Sequence, residues 1–265
     1  MTGPSAAVRR QGLWLLVSGV ILVFGAWAAF DIAQGMLPGH PLQVVDRWTF
    51  TAFQRLRTPA WDQVMVSLTE CGDAGVVWGV ALAAGGWLAW RRAFRSLVYG
   101  LAAVGGGALI NTTVKLCVHR ARPTDLHFSG ASLYSFPSGH STTNTLLYGF
   151  LIVLVWRISA RRRAALAAAC GVFVGAICIS RLYLGAHWLS DVAGGLLCGA
   201  VWLGLVSRLY GVRPAPDVAP PGLLVTVAIA LVACSGVNIL VNHAADVARY
   251  AHPAPQATTA LERRE

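Results

Sequence analysis

Charged residues are scarce in this sequence, and their scarcity limits the kinds of protein that it can encode. They make up 12% of the 265 residues, whereas soluble domains carry about 25%. Paired cysteine motifs are also missing, because the six cysteines are scattered along apolar stretches with no C-x-x-C pair. Such cysteines are typical of small packed side chains, so we expect neither disulfides nor zinc ligands. The composition argues against a soluble domain and against a disulfide-rich secreted domain.

Long apolar runs make up most of the sequence. Hydrophobic residues make up 56% of the chain, and the mean hydropathy is +0.59. Runs of about 18 or more apolar residues are long enough to cross a bilayer as helices. The sequence therefore predicts an all-α fold, a polytopic transmembrane helical bundle with a six-helix core and an additional C-terminal span. The predicted spans are 13–32, 61–90, 94–114, 138–156, 164–179, 188–209 and 222–241.

The residues between and around these runs divide the chain into segments. These are an N-terminal tail with the first span (1–33), an outer interfacial segment (34–60), a core with all the polar motifs (61–213), the additional C-terminal span (222–243) and a polar tail (244–265). Arginines and aromatic residues in 34–60 favour an amphipathic helix in the membrane interface. No small-residue cleavage site follows Arg9 and Arg10, so we expect a retained span and not a signal peptide. Glu70 and Asp73 are interpreted as helix N-terminal charges outside the hydrocarbon, and the alternative is that this stretch leans on the polar site.

The net charge of +10 comes almost entirely from arginine, and the positions of the arginines predict the orientation of the chain. A basic balance can indicate nucleic-acid binding. Here, however, the arginines cluster in short connections between apolar runs, as the positive-inside rule describes for cytoplasmic loops. The rule places the N-terminus inside and leaves four cations in the outer loops of the core 61–213, which are Lys115, Arg120, Arg122 and Arg181. We therefore expect a multi-pass protein of the bacterial inner membrane, with its polar site and C-terminal tail outside and no nucleic-acid partner.

The stretch from Ser180 to Asp191 places a cation, an imidazole and a carboxylate between two apolar runs, namely Arg181, His187 and Asp191. Charged groups beside hydrocarbon are costly and therefore typical of functional sites. If a helix begins near His187, the i and i+4 spacing puts His187 and Asp191 on one face. The carboxylate can then accept one ring N–H and leave the other nitrogen free to attack. Taken alone, the same residues also fit a polar helix end at the membrane surface.

A second polar stretch ends the third predicted span. Lys115 and Arg122 are seven residues, or about two helical turns, apart and can point to one face. Pro123 stops the helix just beyond them. The alternative is ordinary snorkelling of cations to the interface. Several cations within so short a stretch favour a binding role.

A third polar stretch, Ser135-Phe-Pro-Ser-Gly-His140, directly precedes an apolar run. Proline and serine suit a helix start, and glycine permits close approach of the backbone. A helix N-terminus offers unpaired N–H groups and a positive dipole end, which favour a bound anion. His140 is placed to exchange a proton with that anion. A capped helix start with an incidental histidine is the alternative.

Together the three stretches supply cations, N–H donors, two histidines and one carboxylate on one face of the membrane. Neither H-E-x-x-H nor a carboxylate cluster of metal-ligand type occurs, so we expect no metal and no cofactor. Cations and N–H donors aimed at one point are what phosphoryl transfer chiefly requires. The combination therefore predicts a phosphate site.

The three stretches resemble the motifs of the type 2 phosphatidic acid phosphatase superfamily, whose pattern is K-x6-R-P, P-S-G-H and S-R-x5-H-x3-D. Here they span Lys115 to Pro123, Pro137 to His140 and Ser180 to Asp191, with no departure from the pattern. The motifs cover under a tenth of the chain, but the apolar runs between them also resemble the membrane branch of the family. The seventh run lies outside the six-span core of that branch.

The resemblance implies a mechanism. His187 would attack phosphorus to form a phosphohistidine, with Asp191 orienting its ring. His140 would protonate the leaving oxygen and then activate water. The phosphate oxygens would be held by five residues, which are Lys115, Arg122, Arg181, Ser138 and Gly139.

We therefore predict a membrane lipid phosphatase that works in the bilayer on a lipid phosphomonoester or a polyprenyl diphosphate. Undecaprenyl diphosphate and glycerophospholipid phosphates (phosphatidate and phosphatidylglycerophosphate) are slightly preferred as substrates. Phosphotransfer to another lipid and dephosphorylation of lipid A are alternatives on the same site, and a soluble sugar phosphate is a further substrate that this fold could accept. A haloperoxidase and a membrane transporter are less favoured, because the chain is embedded in the membrane and its polar residues gather at one face. The oligomeric state cannot be predicted.

Overall fold

The computed structural model describes residues 41–126, 128–156, 158–211 and 218–251. The predicted first span, 13–32, and the end of the predicted tail, 252–265, lie outside the described residues. The described residues form α-helices with one short 3-10 helix, Gly130–Leu133, and contain no strand. The α-helices are α1 (Pro41–Arg55), α2 (Pro59–Glu70), α3 (Ala74–Trp90), α4 (Phe94–Val118), α5 (Gly139–Leu154), α6 (Ala160–Tyr183), α7 (Leu189–Gly211) and α8 (Pro220–Ala251).

The described chain is a multi-span membrane bundle, as predicted. Five of its helical segments are long and apolar enough to cross a membrane: Pro59–Trp90 (α2 with α3), α4, α6, α7 and α8. Helix α5 is shorter, at 16 residues. The seventh apolar run of the sequence forms α8, so the prediction of an additional C-terminal helix is confirmed.

The second predicted span is interrupted between α2 and α3, at residues 71–73. A side chain on Gly72 would lie 2.7 Å from Ile177 of α6, and its carbonyl accepts a hydrogen bond from the Asn144 amide at 2.9 Å. The chain therefore packs closely against α5 and α6 at this point. The interruption turns Asp73 towards the start of α5, and sequence periodicity did not predict it.

Two helices extend further than their apolar runs. Helix α4 continues to Val118, so Lys115 lies in its last turn. The helix ends there at a left-handed His119, before Arg122 and Pro123, so the prediction that Pro123 stops it is wrong. Helix α8 continues to Ala251, so residues 244–251 of the predicted polar tail are helical. In these last turns Asp246 pairs with Arg249 at 2.8 Å, and Tyr250 is buried against the bundle. Local ion pairing and packing sustain the helix beyond its apolar run.

The predicted interfacial segment forms α1 within the described residues. Its exposed residues include Val44, Trp48 and Arg47, whereas Asp46 and Thr49 are buried. One face of α1 is thus fixed on the bundle through polar side chains, and the other presents apolar and basic groups outward. Such a helix suits a membrane interface, and the interfacial location stays a prediction.

The two ends of the bundle differ in chemistry. The α3–α4 connection carries Arg91 and Arg92, and the first turn of α6 carries Arg161 and Arg162. The opposite end gathers the end of α4, the start of α5, the end of α6 and the start of α7. Because neighbouring helices alternate in direction, all three polar motifs lie at this second end, as the sequence predicted.

Helix α7 approaches the start of α5 so closely that Gly195 leaves no room for a side chain. A Cβ there would lie 2.6 Å from the Ser138 carbonyl oxygen and 2.8 Å from the Ser141 Cβ. We expect Gly195→Ala to lower the free energy of unfolding by about 1–3 kcal/mol, because backbone must move. Gly204→Ala is the matched control on the same helix, since a Cβ there meets nothing within 4 Å; it should stabilise the helix by about 0.5–1 kcal/mol. Thermal unfolding of both variants in detergent checks the difference, and equal shifts would contradict it.

Candidate active site

Four helix ends position the predicted site residues. Lys115 lies in the last turn of α4 and Arg181 in the last turn of α6. His140 and Asp191 lie in the first turns of α5 and α7. The Ser138 N–H donates to the Asp191 carbonyl at 3.0 Å and so joins the second and third motifs. The structure thus brings together residues that are up to 76 positions apart in the sequence.

His187 lies in the turn between α6 and α7 and is almost fully buried, with 3% of its surface exposed. Its Nδ1 is 3.4 Å from Asp191 Oδ2, and its Nε2 is 3.2 Å from Arg122 Nη1. Asp191 Oδ2 also accepts the Trp188 N–H at 2.9 Å. Helix α7 begins two residues later than the sequence suggested, yet the turn keeps the pair together. Asp191 thus faces one ring nitrogen, and the other faces a cation.

The surroundings of His187 favour its neutral form. Burial lowers the pKa of His187 well below the usual value, and the positive charges of Arg122, Arg181 and Lys115 lower it further. Burial and the charge of Arg181 lower the pKa of Arg122 to about 10, so that guanidinium stays charged at neutral pH. A neutral imidazole has the lone pair that a nucleophile needs, and the nearby cation can hold an anion in front of it.

Lys115 and Arg122 are held by backbone carbonyls. Lys115 Nζ donates to the Tyr134 carbonyl at 2.6 Å. Arg122 donates to the Ser132 carbonyl through Nε at 3.0 Å and Nη2 at 2.7 Å, and to the Ala186 carbonyl through Nη1 at 2.7 Å. Carbonyls satisfy the N–H donors without cancelling the formal charge. Carbonyl oxygens therefore hold both side chains in place, and the charge of Arg122 remains available to attract an anion.

Arg181 is oriented differently from the other two predicted cations. Its Nη1 donates to Thr69 Oγ1 at 2.7 Å and to the Tyr250 hydroxyl at 2.9 Å, on α2 and α8. Its Nε is buried without a hydrogen-bond partner among the described residues. A buried N–H without a partner is costly, so Nε is the atom of Arg181 that an anion would satisfy.

The P-S-G-H stretch forms the start of α5 as predicted. The Ser138 hydroxyl accepts the Ser141 N–H at 3.4 Å and caps the helix. Gly139 is the first residue of α5. Its N–H is one of the first four N–H groups of the helix, which have no hydrogen-bond partner within the helix. Ser138 is therefore used in part for capping, whereas Gly139 keeps the predicted character of a backbone donor.

Arg120 and Asp46 were not predicted as site residues, and the structure places both behind Asp191. Arg120 Nη1 donates to Asp191 Oδ1 at 2.5 Å and Nη2 donates to Asp46 Oδ2 at 2.7 Å. Asp46 also accepts the Ser190 N–H at 2.9 Å. The signal in the sequence was slight: Asp46 is the one carboxylate in the segment 34–60.

Glu70 and Asp73 differ from their interpretation as helix-terminal charges outside the hydrocarbon. Glu70 is fully buried at the end of α2 and lies 2.9 Å from His243 Nδ1 of α8. Asp73 does precede α3, but its Oδ1 is 2.8 Å from His140 Nε2. Glu70 therefore ends a helix and does not begin one, whereas Asp73 precedes a helix as expected and, as in the alternative, contacts the site.

No group of three His, Cys, Asp or Glu side chains in the described ranges is placed to hold a metal ion. The carboxylates near the site are each engaged with a histidine, an arginine or an amide. The donor set is therefore rich in cations and N–H groups, which suit an anion.

Comparison with known sequences identifies the family. The sequence model of the PAP2 superfamily matches residues 93–215. Residues 93–215 form a PAP2 superfamily domain. This stretch contains all three motifs of the PAP2 site, while α1, α2, α3 and α8 lie outside it.

Named relatives of this chain are phosphatases. Phosphatidylglycerophosphatase B of Bacillus subtilis (strain 168) is 27% identical over 181 residues, which are 67% of this chain and 89% of that protein. Lipid A 1-phosphatases of Rhizobium johnstonii and Rhizobium etli are 36% and 35% identical over 115 residues, 40% of this chain. The matches cover 43% and 46% of those two proteins, less than half of each. These names confirm the prediction that the protein is an enzyme of the phosphatase class.

A solved structure supports the fold. The crystal structure of a transmembrane PAP2-type phosphatidylglycerolphosphate phosphatase from Bacillus subtilis matches with a TM-score of 0.66 and 24% identity. The match covers 74% of this chain and 98% of that one. The likeness shows that this chain has the same membrane fold.

Proposed function

We propose that the protein is a membrane lipid phosphatase that removes phosphate through a phosphohistidine on His187. One observation carries this proposal, the placement of the buried His187 ring between Asp191 and Arg122. A carboxylate that accepts the Nδ1 proton leaves the Nε2 lone pair for attack. Arg122 then stands where the oxygens of the attacked phosphate would lie.

The other site residues fit the remaining steps. His140 would give a proton to the leaving oxygen and later take one from the attacking water. Lys115, Arg122 and the Arg181 Nε would bind phosphate oxygens, together with the Gly139 N–H. The developing charge on these oxygens is stabilised by donors that are already in place. This chemistry needs no metal, and metal independence is part of the proposal.

A lipid is the favoured substrate because the site lies at one end of a membrane bundle, where a lipid tail can remain among the spans. Beside the site, a cavity of about 230 Å³ is lined in part by Arg47, Arg120 and Trp188. The exposed Arg47 could hold a second phosphate. That feature favours phosphatidylglycerophosphate and undecaprenyl diphosphate over phosphatidate, and the name of the Bacillus relative supports phosphatidylglycerophosphate. Lipid A 1-phosphate is the second candidate, supported by the Rhizobium relatives.

We place the site at the outer face of a bacterial inner membrane. The support is the distribution of charge, since the arginines of the α3–α4 connection and of the first turn of α6 lie at the end opposite to the site. Positively charged connections stay in the cytoplasm. Labelling of a cysteine introduced near the site with a membrane-impermeant thiol reagent, in a variant without exposed Cys117, would test this orientation.

The proposal is tested by phosphate release from purified protein in detergent with a chelator present. Phosphatidylglycerophosphate, undecaprenyl diphosphate, phosphatidate and lipid A 1-phosphate are offered side by side. We expect release of phosphate from at least one of them. When turnover of a substrate labelled with radioactive phosphate is quenched, we also expect an acid-labile label on the protein. Release that depends on an added divalent metal, or the absence of release from all four lipids, would overturn the proposal.

The pH dependence should reflect the environment of His187. Burial and the charge of Arg122 lower the pKa of His187, so its ring stays neutral as the pH falls below the usual histidine value of about 6.5. The acid limb of kcat/KM should therefore lie below about pH 6.5. Arg122→Gln removes one cause of the lowering, so the limb should move to higher pH while kcat/KM falls.

Profiles of wild type and Arg122→Gln on one substrate check this prediction, because the ionisation of the substrate is common to both. A limb that keeps its position, or moves to lower pH, would contradict it.

A further inference from the structure

A chain of hydrogen bonds connects the C-terminal helix to His140. His140 Nε2 is 2.8 Å from Asp73 Oδ1, and Asp73 Oδ2 accepts the Asn238 amide at 3.0 Å. The same amide nitrogen donates to the Glu70 carbonyl at 3.1 Å, and Asn238 Oδ1 accepts from Asn242 at 2.8 Å. Both oxygens of the Asp73 carboxylate are therefore engaged, one by His140 and one by α8.

Asp73 is not explained by the helix that it precedes. It occupies the N-cap position of α3, where an aspartate ordinarily accepts an N–H of the first turn. In the described stretch 41–126, the Asp73 side chain makes no such capping bond. Its two oxygens are used across the bundle, on α5 and α8. A carboxylate that gives up a local cap for a histidine of the site indicates a role at that site.

We propose that Asp73 is the positioning residue of His140, and that Asn238 of α8 holds Asp73 in place. The proposal rests on the function proposed above and extends the site beyond residues 93–215. With Nε2–H bound to Asp73, Nδ1 is the ring nitrogen that exchanges the catalytic proton. The carboxylate also faces the positive charge that the ring carries when both nitrogens are protonated.

The proton can then be followed through both steps. In the first step the His187 Nε2–P bond forms, the P–O bond to the alcohol or phosphate leaving group breaks, and the Nδ1 proton of His140 passes to the leaving oxygen. In the second step the oxygen of water bonds to phosphorus, the N–P bond breaks, and the proton of water returns to His140 Nδ1. Throughout both steps Nε2–H stays on Asp73, so the ring keeps one orientation as acid and as base.

Helix α8 is therefore part of the active site in this proposal. Besides Asn238, it supplies the buried Tyr250, whose hydroxyl lies 2.9 Å from Arg181 Nη1. Helix α8, which lies outside residues 93–215, thus contacts the third motif directly through Tyr250 and the second motif through Asp73.

The test separates positioning from packing by changing the leaving group. An alkyl alcohol leaving from a lipid phosphate needs a proton, whereas the nitrophenolate of p-nitrophenyl phosphate hardly does. We expect Asp73→Asn to lower kcat/KM about 100-fold on the lipid phosphate and only a few-fold on p-nitrophenyl phosphate. Asn238→Leu should show the same selectivity with a loss of about 10-fold. Gly236→Ala on the same helix α8, where a Cβ meets nothing within 4 Å, is the control and should leave both values unchanged.

A second measurement tests whether Asp73 and His140 contribute to the same step. If Asp73 acts through His140, adding Asp73→Asn to His140→Ala should cost no further activity on the lipid phosphate. Equal losses on the two substrates, or a full additional loss in the His140→Ala background, would overturn the proposal. Wild-type protein that releases no phosphate from any lipid would instead overturn the proposed function, so the two failures are distinguishable.

Discussion

Replacing His187 with alanine is expected to lower phosphate release by at least about 10⁴-fold, the largest effect of any single substitution in this protein. The reason is chemical, because the variant has no atom that can form the covalent bond to phosphorus. His187 is 3% exposed in a site surrounded by cations, so water would have to replace it without the orientation that Asp191 provides. The lipid should still bind, since Lys115 and Arg122 are unchanged.

The measurement is phosphate release together with trapping of labelled protein. His187→Ala should form no acid-labile phosphoprotein, whereas wild type should. The matched control is His119→Asn, because His119 is exposed and has a left-handed backbone with φ of 53° that asparagine tolerates. Release that persists in His187→Ala would contradict a phosphohistidine route. His187→Ala should also fail to transfer phosphate to an alcohol acceptor. Hydrolysis and transfer share their first step, which is the formation of the phosphohistidine.

The charges around the site divide into two groups with different partners. Arg120 lies between two carboxylates, Asp191 and Asp46, so its charge is neutralised within the protein. Lys115 and Arg122 donate to carbonyl oxygens, which do not neutralise a positive charge. Although Arg120 and Arg122 are two residues apart, we infer that only Arg122 contacts phosphate. The distinction depends on which oxygens surround each guanidinium and cannot be obtained from the motif.

The sequence predicted those parts of the structure that depend on local pattern. Apolar runs predicted the helices, and the four-residue spacing of His187 and Asp191 predicted their contact. Basic connections predicted which end of the bundle holds the site. Each of these inferences uses residues that are near one another in the chain or share one end of a helix.

The missed features depend on how helices pack against one another. The contact of Asp46 with Ser190 joins residues 144 positions apart, and that of Asn238 with Asp73 joins residues 165 positions apart. Hydropathy does not encode such pairs, because each residue alone resembles a polar group at a helix end. The interruption at Gly72 is set by the approach of Ile177, which is again a distant residue. Long-range polar contacts are therefore where sequence reasoning failed.

Asp191→Asn is expected to lower kcat by about 10²- to 10⁴-fold. Asp191 Oδ2 faces His187 Nδ1, while Oδ1 accepts from Arg120. In the Asp191→Asn variant, the amide oxygen remains the acceptor for Arg120. The amide nitrogen is then directed at His187 Nδ1. An N–H donor there requires Nδ1 to be the acceptor and puts the ring proton on Nε2. The attacking nitrogen is then protonated and carries no lone pair.

Asp46→Asn provides the comparison that separates this effect from lost stability. This substitution also removes one of the two carboxylates that pair with Arg120, and Asp46 is only 3% exposed. Asp46, however, does not contact His187. Breaking a buried ion pair costs about 3–5 kcal/mol, so both variants should unfold at lower temperature in detergent. We expect Asp46→Asn to retain kcat within about tenfold of wild type, since the tautomer of His187 is unchanged. If the two variants lose kcat equally, Asp191 acts through Arg120 and the stability of the loop, and its proposed role in setting the tautomer of His187 is wrong.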